Sequence, residues 1–259
     1  SNFIALDVKS EELNPSIFIH GFYFFGIQSH LHFSQYRLNY FKGHISDLGG
    51  PSANMYQMHG RNSSLCIKCQ RDSCIFPKKC KNLSANHFPL INLYKKAALV
   101  SGVRHITIGS GIRYDMLLTE DSAEDLANGY TEYLNQVVAN HVSGRLKVAP
   151  EHTDPSVLKR MRKPDFQKFE LFLKRFQKAN RQAGKNQQLI PYLISSFPGC
   201  TLENMAQLAV KCKANNLITD QVQDFTPTPM TYATALYYLG FDPYTGEKIP
   251  VARKVDDKR

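Results

Sequence analysis

The chain has 259 residues, 42% of them apolar, with 32 Lys and Arg against 22 Asp and Glu for a formal net charge of +10. Such a length buries a sizeable core as one large domain or two small ones, and the composition excludes a disordered or collagen-like chain. The basic balance suits an anionic partner such as RNA, a phosphorylated substrate or an anionic membrane, and equally a solvated surface.

Residues 1–40 are rich in aromatic side chains and carry His20, His30 and His32. His30 and His32 would share one face of a strand, but no third ligand is spaced to join them. The longest apolar run, Ser16 to Ile27, is too short for a span of roughly 20 residues and has no basic leader. No membrane association is expected, and a reducing cytoplasm suits the clustered cysteines.

From Gly43 the pattern sharpens. Gly43–Ser46 reads as a short strand entering the turn Asp47-Leu48-Gly49-Gly50-Pro51. A helix is expected from Phe88 to Val100, then a strand over Arg104–Gly109. The next helix runs from Ser122, as N-cap, to about Asn140, and a strand follows over Gly144–Pro150. Asp154 caps a helix with Pro155 in its first turn. A longer helix spans about Asp165 to Ala183, with Phe166, Phe169, Phe172, Leu173 and Phe176 on one core-facing stripe.

Gln187–Ser196 reads as a buried strand made irregular by Pro191. Thr201 caps the helix after it, in which Cys212 is a buried small apolar residue. Asp220–Phe225 is the last clear strand, and a turn-rich segment with a charged tail closes the chain. The expected organisation is an unassigned segment over 1–40, a βα unit over 41–225 and the turn-rich segment over 226–259.

Alternation of strands and helices implies parallel βα units, in an incomplete barrel or an open sheet. Polar residues fall at the strand ends: Asp47, Gly49 and Gly50; Ser110, Arg113 and Asp115; Glu151 and His152; Ser195 and Ser196; and Asp224. The carboxyl ends of parallel strands form the active face of such folds, so these residues are candidates to meet one ligand.

Between the first two strands lies Cys66, Cys69, Cys74 and Cys80, four of the six cysteines, spaced C-x2-C-x4-C-x5-C. A disulfide knot and a tetrathiolate metal site both fit that spacing. Lys68, Arg71, Lys78, Lys79 and Lys81 favour thiolates and hence metal, but they offset the charge of a zinc or an iron–sulfur site equally.

Several of these stretches together resemble the YgiQ family of radical S-adenosylmethionine (SAM) proteins. They are GHISDLGGPSANMY (Gly43–Tyr56), the cysteine loop, SGIRYD (Ser110–Asp115), LKVAPEHTDPSVLKRMRKP (Leu146–Pro164), SSFPGCTLENM (Ser195–Met205) and VQDFTPTPMTYAT (Val222–Thr234). The resemblance implies an α/β fold, a partial (β/α) barrel incomplete at its first strand. It also implies a [4Fe-4S] cluster, S-adenosylmethionine, and radical chemistry on a substrate that the motifs do not identify. By strand position, Asp47, Gly49 and Gly50 would lie against the ammonium of the methionine moiety. Ser110 and Arg113 would lie against its carboxylate, and Glu151 against a ribose hydroxyl.

The family's cluster loop, C-x3-C-x2-C, does not occur in this chain. The expectation is therefore a fragment or a degenerate member, with Cys66–Cys80 holding zinc or an auxiliary iron–sulfur cluster. The alternative is a non-catalytic module with a structural zinc site that contacts RNA.

Overall fold

A computed structural model of the chain describes residues 42–48, 52–217, 222–254 and 258. The expectations that fall on residues 1–40, and on Gly49 and Gly50, lie outside the described residues.

The fold is mixed α/β, and its sheets are short and parallel. Strand β1 (His44–Ser46) pairs with β2 (His105–Thr107), and β3 (Arg145–Glu151) with β4 (Gln188–Ser195), which pairs with β5 (Val222–Asp224). An isolated parallel bridge from Ile112 to Val148 joins the two groups. Neighbours in space are thus neighbours in sequence, each parallel pair joined by a crossover that contains helix. The sheet does not close into a barrel among the described residues.

Eight α-helices accompany these strands among the described residues. They are α1 (Ser63–Ile67), α2 (Phe88–Ala98), α3 (Ser122–Asn128), α4 (Tyr130–Asn140), α5 (Pro155–Arg160), α6 (Phe166–Gln182), α7 (Leu202–Ala214) and α8 (Tyr232–Leu239). The three-to-four-residue spacing of Phe166, Phe169, Phe172 and Phe176 puts all four on one face of α6, where they are buried. They pack in the main core with Leu90, Ile91 and Tyr94 of α2, Tyr133 and Val137 of α4, and Leu146 and Val148 of β3.

Asp154 caps α5, its Oδ1 accepting from the amides of Ser156 and Val157. Thr201 caps α7 in a reciprocal capping box with Asn204. Cys212 is buried beside Leu193 and Leu208, as its place in the apolar stripe predicts. Pro191 sits opposite Val148, and the β3–β4 register shifts between Val148 and Glu151. The expected irregularity is there, carried by the partner strand.

Two expectations are corrected. The single helix from Ser122 to Asn140 is two helices, because Gly129 adopts a left-handed conformation with φ 68° and ends α3. Its cap is Asp121, whose carboxylate accepts from the Ala123 amide, and Ser122 is the first helical residue. The turn-rich segment after Thr226 contains α8. Its prolines and glycines flank Tyr232–Leu239 without entering it, Thr231 caps it, and Gly240 ends it at φ 70°. Leu236 of α8 joins Val157, Phe197, Phe225 and Ile249 in a second buried cluster.

Candidate functional site

The strand ends of β1, β3 and β4 share an unusual backbone. Asp47 (φ 70°), Glu151 (φ 66°) and Ser196 (φ 56°) all adopt the left-handed region without being glycine. Such residues cost on the order of 1 kcal/mol each and persist only where surrounding contacts hold them.

At the β1 end those contacts are explicit. The Asp47 carboxylate accepts from the amides of Gly109 (3.0 Å) and Ser110 (2.8 Å) and from the Ser110 hydroxyl. The expected pair Asp47 and Ser110 is therefore brought together, with the carboxylate tying the loop after β2 to the end of β1.

Arg113 is two residues beyond Gly111, whose backbone runs so close to β3 that an added Cβ would lie 2.5 Å from the Lys147 carbonyl oxygen. The guanidinium forms a two-point pair with Asp115, Nε to Oδ1 at 2.9 Å and Nη2 to Oδ2 at 2.6 Å. Burial opposes the guanidinium charge, but the hydrogen bonds to Asp115 and the nearby Glu151 carboxylate outweigh it and raise the Arg113 pKa. Glu151 in turn pairs with Lys163, 2.9 Å from Nζ to Oε1.

A small cleft lies between these groups, lined by residues 112–115, Ala149, Lys163 and Pro164. Arg113, Asp115 and Lys163 present charges of both signs to it. Lys163, in the loop between α5 and α6, was not predicted. Its signal was the run KRMRKP (Lys159–Pro164), a concentration of cations at the end of α5 and in the loop after it.

Asn54 and His87 were also missed. Asn54 is fully buried and clamps the Arg113 backbone, accepting from its amide at 2.7 Å and donating to its carbonyl at 2.9 Å. The His87 Nδ1 donates to the Ala85 carbonyl at 2.9 Å, leaving Nε2 to accept from the second Asn54 amide hydrogen at 3.3 Å. Burial pushes the His87 pKa down to about 4, against the bond to Ala85, so the ring is neutral.

At the β3 and β4 ends, buried His152 accepts the Asp154 amide on Nδ1, so Nε2 carries the proton and faces the Cys200 sulfur at 3.5 Å. Burial holds His152 down to about 4 and pushes the Cys200 thiol up to about 11. A neutral imidazole and a protonated thiol make a packing contact, not an activated nucleophile. Ser195 donates to Asp224 across β4 and β5 at 2.5 Å.

The cysteine module lies between Gly60 and Leu83, which form an antiparallel bridge at its base. Lys79 reaches Glu124 of α3 at 2.5 Å and Tyr130 of α4 at 2.9 Å, while Asp72 meets Arg162, in the loop between α5 and α6, at 3.3 Å. Burial raises the Glu124 pKa, but hydrogen bonds from Lys79, Thr119 and Tyr130 outweigh it and bring it down to about 2. The cysteines are all free thiols, and no three His, Cys, Asp or Glu among the described residues are arranged around a common metal position.

Comparison with known proteins bears on this arrangement. The chain is 53% identical over 218 residues to a UPF0313 protein of Bacteroides thetaiotaomicron, covering 84% of this chain and 35% of that one. The match to a UPF0313 protein of Porphyromonas gingivalis is 50% over 218 residues, covering 84% and 34%. An archaeal UPF0313 protein, from Methanocella arvoryzae, is 40% identical over 223 residues, covering 86% and 36%. Its close homologues are UPF0313 proteins. That family contains the YgiQ-like radical SAM proteins to which the motifs pointed. The chain spans about a third of the length of these UPF0313 relatives. Residues 220–259 match a family model described as Domain of unknown function (DUF3362). No described helix is long and apolar enough to cross a membrane.

Proposed function

We propose that this chain is the core of a YgiQ-like radical SAM protein, folded as part of a (β/α) barrel, and that its strand-end cleft contributes to holding S-adenosylmethionine in the whole protein. The supporting observation is the gathering of Asp47–Ser110, Arg113–Asp115 and Glu151–Lys163 at the carboxyl ends of successive parallel strands. The methionine part of S-adenosylmethionine is a zwitterion, and paired charges of both signs serve it. Its carboxylate would share the Arg113 guanidinium with Asp115, which keeps that cation charged and aimed. Glu151 would accept from a ribose hydroxyl while Lys163 holds its carboxylate.

The residues present do not fit the catalytic [4Fe-4S] cluster, since the chain has no C-x3-C-x2-C, and no chemical step is assigned through it. What this chain's own residues do in this reading is bind and orient the cofactor at the face where parallel strands present their ends.

The test uses the whole protein, purified anaerobically, with S-adenosylmethionine and a strong reductant. Formation of 5′-deoxyadenosine, weakened at least tenfold in apparent affinity for the cofactor by Arg113→Ala, is the expected result. Unchanged cofactor affinity in Arg113→Ala and Glu151→Gln would remove the cleft from the binding site. Absence of 5′-deoxyadenosine from protein with a reconstituted cluster would remove the enzymatic reading.

A further inference from the structure

Residues 61–82 form a module with almost no core of its own, in which Ile75 and Cys80 are half-buried against the main core. None of these residues is buried, and 61–72 are all exposed. Helix α1 has no buried residue, and it leaves Leu65 and Ile67 60% and 84% exposed. Segments this small that cannot bury apolar area need another source of stability, in practice a disulfide, a metal or a partner.

The backbone is nevertheless specified in detail. The base is closed by Arg61 N–H to Asn82 O (2.7 Å), Ser84 N–H to His59 O (2.8 Å) and the Asn62 amide to Asn82 Oδ1 (2.9 Å). Asn62 caps α1, and the Cys69 amide donates to Cys66 O at 3.1 Å, so Cys66 and Cys69 flank one tight turn. The Cys80 amide donates to Cys74 O at 2.7 Å and brings the second pair of cysteines to the two ends of a seven-residue loop. Arg71 fastens the span between them, donating to the carbonyls of Ser73 and Lys78.

One sulfur is already provided for. Asn82 Nδ2 donates to Cys66 Sγ at 3.2 Å, the contact that orients and stabilises a thiolate ligand from outside its coordination sphere. Gly60 lies against the same sulfur: an added Cβ would be 2.1 Å from it, so only glycine leaves room there.

We propose that Cys66, Cys69, Cys74 and Cys80 bind one Zn²⁺ as a closed tetrathiolate site, which supplies stability that a module with so little buried area lacks. Binding replaces four S–H protons by four Zn–S bonds and releases four protons, leaving the site with a charge of −2. Lys68, Arg71, Lys78, Lys79 and Lys81 offset that charge. Zinc is favoured over an iron–sulfur cluster because Cys66, Cys69 and Cys74 are solvent-exposed. A d¹⁰ ion with four protein ligands tolerates water, whereas a cluster there would have no apolar shell. Among the described residues the four sulfurs do not surround one point, so zinc binding must draw them together, a local folding step of the kind that metal binding drives. Through Lys79–Glu124 and Asp72–Arg162, the zinc module would be fixed against elements that flank the strand-end cleft.

Metal analysis of the full chain, purified without added metal, should find one zinc per chain and no inorganic sulfide. Cobalt substitution should give intense thiolate-to-cobalt charge-transfer bands. Cys69→Ser and Cys74→Ser should lower zinc affinity at least a hundredfold, and Cys69→His, which keeps a zinc ligand, should recover part of it. Cys200→Ser should leave the zinc content unchanged. Chelation should speed proteolysis within 61–82 while the β3–β4 amides keep their hydrogen-exchange protection. Iron with sulfide, disulfides among the four cysteines, or metal-free protein with a protease-resistant module would each overturn the proposal. None of these readouts depends on S-adenosylmethionine, so the zinc site and the cofactor reading fail separately.

Discussion

Asn54 and Arg113 are paired as two strand residues would be, except that one partner is a side chain. The Asn54 amide exchanges two hydrogen bonds with the Arg113 backbone, 2.7 Å and 2.9 Å, and its remaining hydrogen goes to His87 at 3.3 Å. Every donor and acceptor in the cluster is used. The loop after β2 is thereby held from below while the Arg113 guanidinium faces the cleft.

Asn54→Ala should leave a buried amide and carbonyl of Arg113 and the His87 nitrogen without partners. Unmet buried polar groups cost about 1–3 kcal/mol each, so a loss of about 2–4 kcal/mol is expected in urea denaturation. Asn54→Asp keeps the acceptor but loses both donors and should fall between. A change below about 0.5 kcal/mol in Asn54→Ala would show that water takes over the clamp.

Stability should fall as pH drops from about 6.5 to 4. His87 and His152 are each held down to about 4 by burial, with Lys79 adding to the effect on His87 and Lys211 to that on His152. Over this window the unfolded chain binds protons that the fold refuses. The contribution is therefore complete above pH 6.5 and lost progressively toward pH 4, on the order of 3 kcal/mol for each ring. Imidazole carbon shifts followed by NMR give the check: titration of both rings near 6.5 in the folded chain would sink the assignment.

Gly111→Ala should be far more damaging than Gly102→Ala. Both glycines have positive φ, 93° and 86°, so each substitution strains the backbone. At Gly102 the new methyl group meets nothing within 4 Å, and about 1 kcal/mol is expected. At Gly111 it collides with the Lys147 carbonyl, and the Ile112–Val148 bridge that joins the two sheets must open. Comparable melting temperatures for the two variants would contradict this account.

Glu124→Gln should loosen the cysteine module without much effect on global stability. Its carboxylate collects Lys79, Thr119 and Tyr130, yet it is a third exposed, so the ion pair is worth less than about 1 kcal/mol. Faster proteolysis within residues 61–82 at an unchanged denaturation midpoint is the expected signature.

Much of the secondary structure was legible because it follows local rules. The aromatic stripe of α6 has helical period, Asp154 and Thr201 are N-caps with the right followers, and β3 alternates in and out of the core. The errors also have local causes. Gly129 falls inside the helix expected over Ser122–Asn140, whereas its left-handed φ makes it a break. The prolines and glycines around α8 were read as the segment's character, whereas they are its boundaries.

By itself the sequence determined the order of parallel strands, the strand-end residues, the kinship with YgiQ-like proteins and the spacing of four cysteines. These are properties of neighbours along the chain and of motifs. The partners of those residues were decided only by the tertiary structure. Arg113 is matched by Asp115 and supported by Asn54, 59 positions away, and Glu151 is met by Lys163 from the next loop. Pairing across such separations depends on the β2–β3 approach at Gly111 and on the crossovers that bring loops to one face, and no local pattern encodes either. The cysteine module is the converse case: its sulfurs are named by spacing, and only the structure shows that three of the four are exposed and that Cys80 alone is half-buried against the main core.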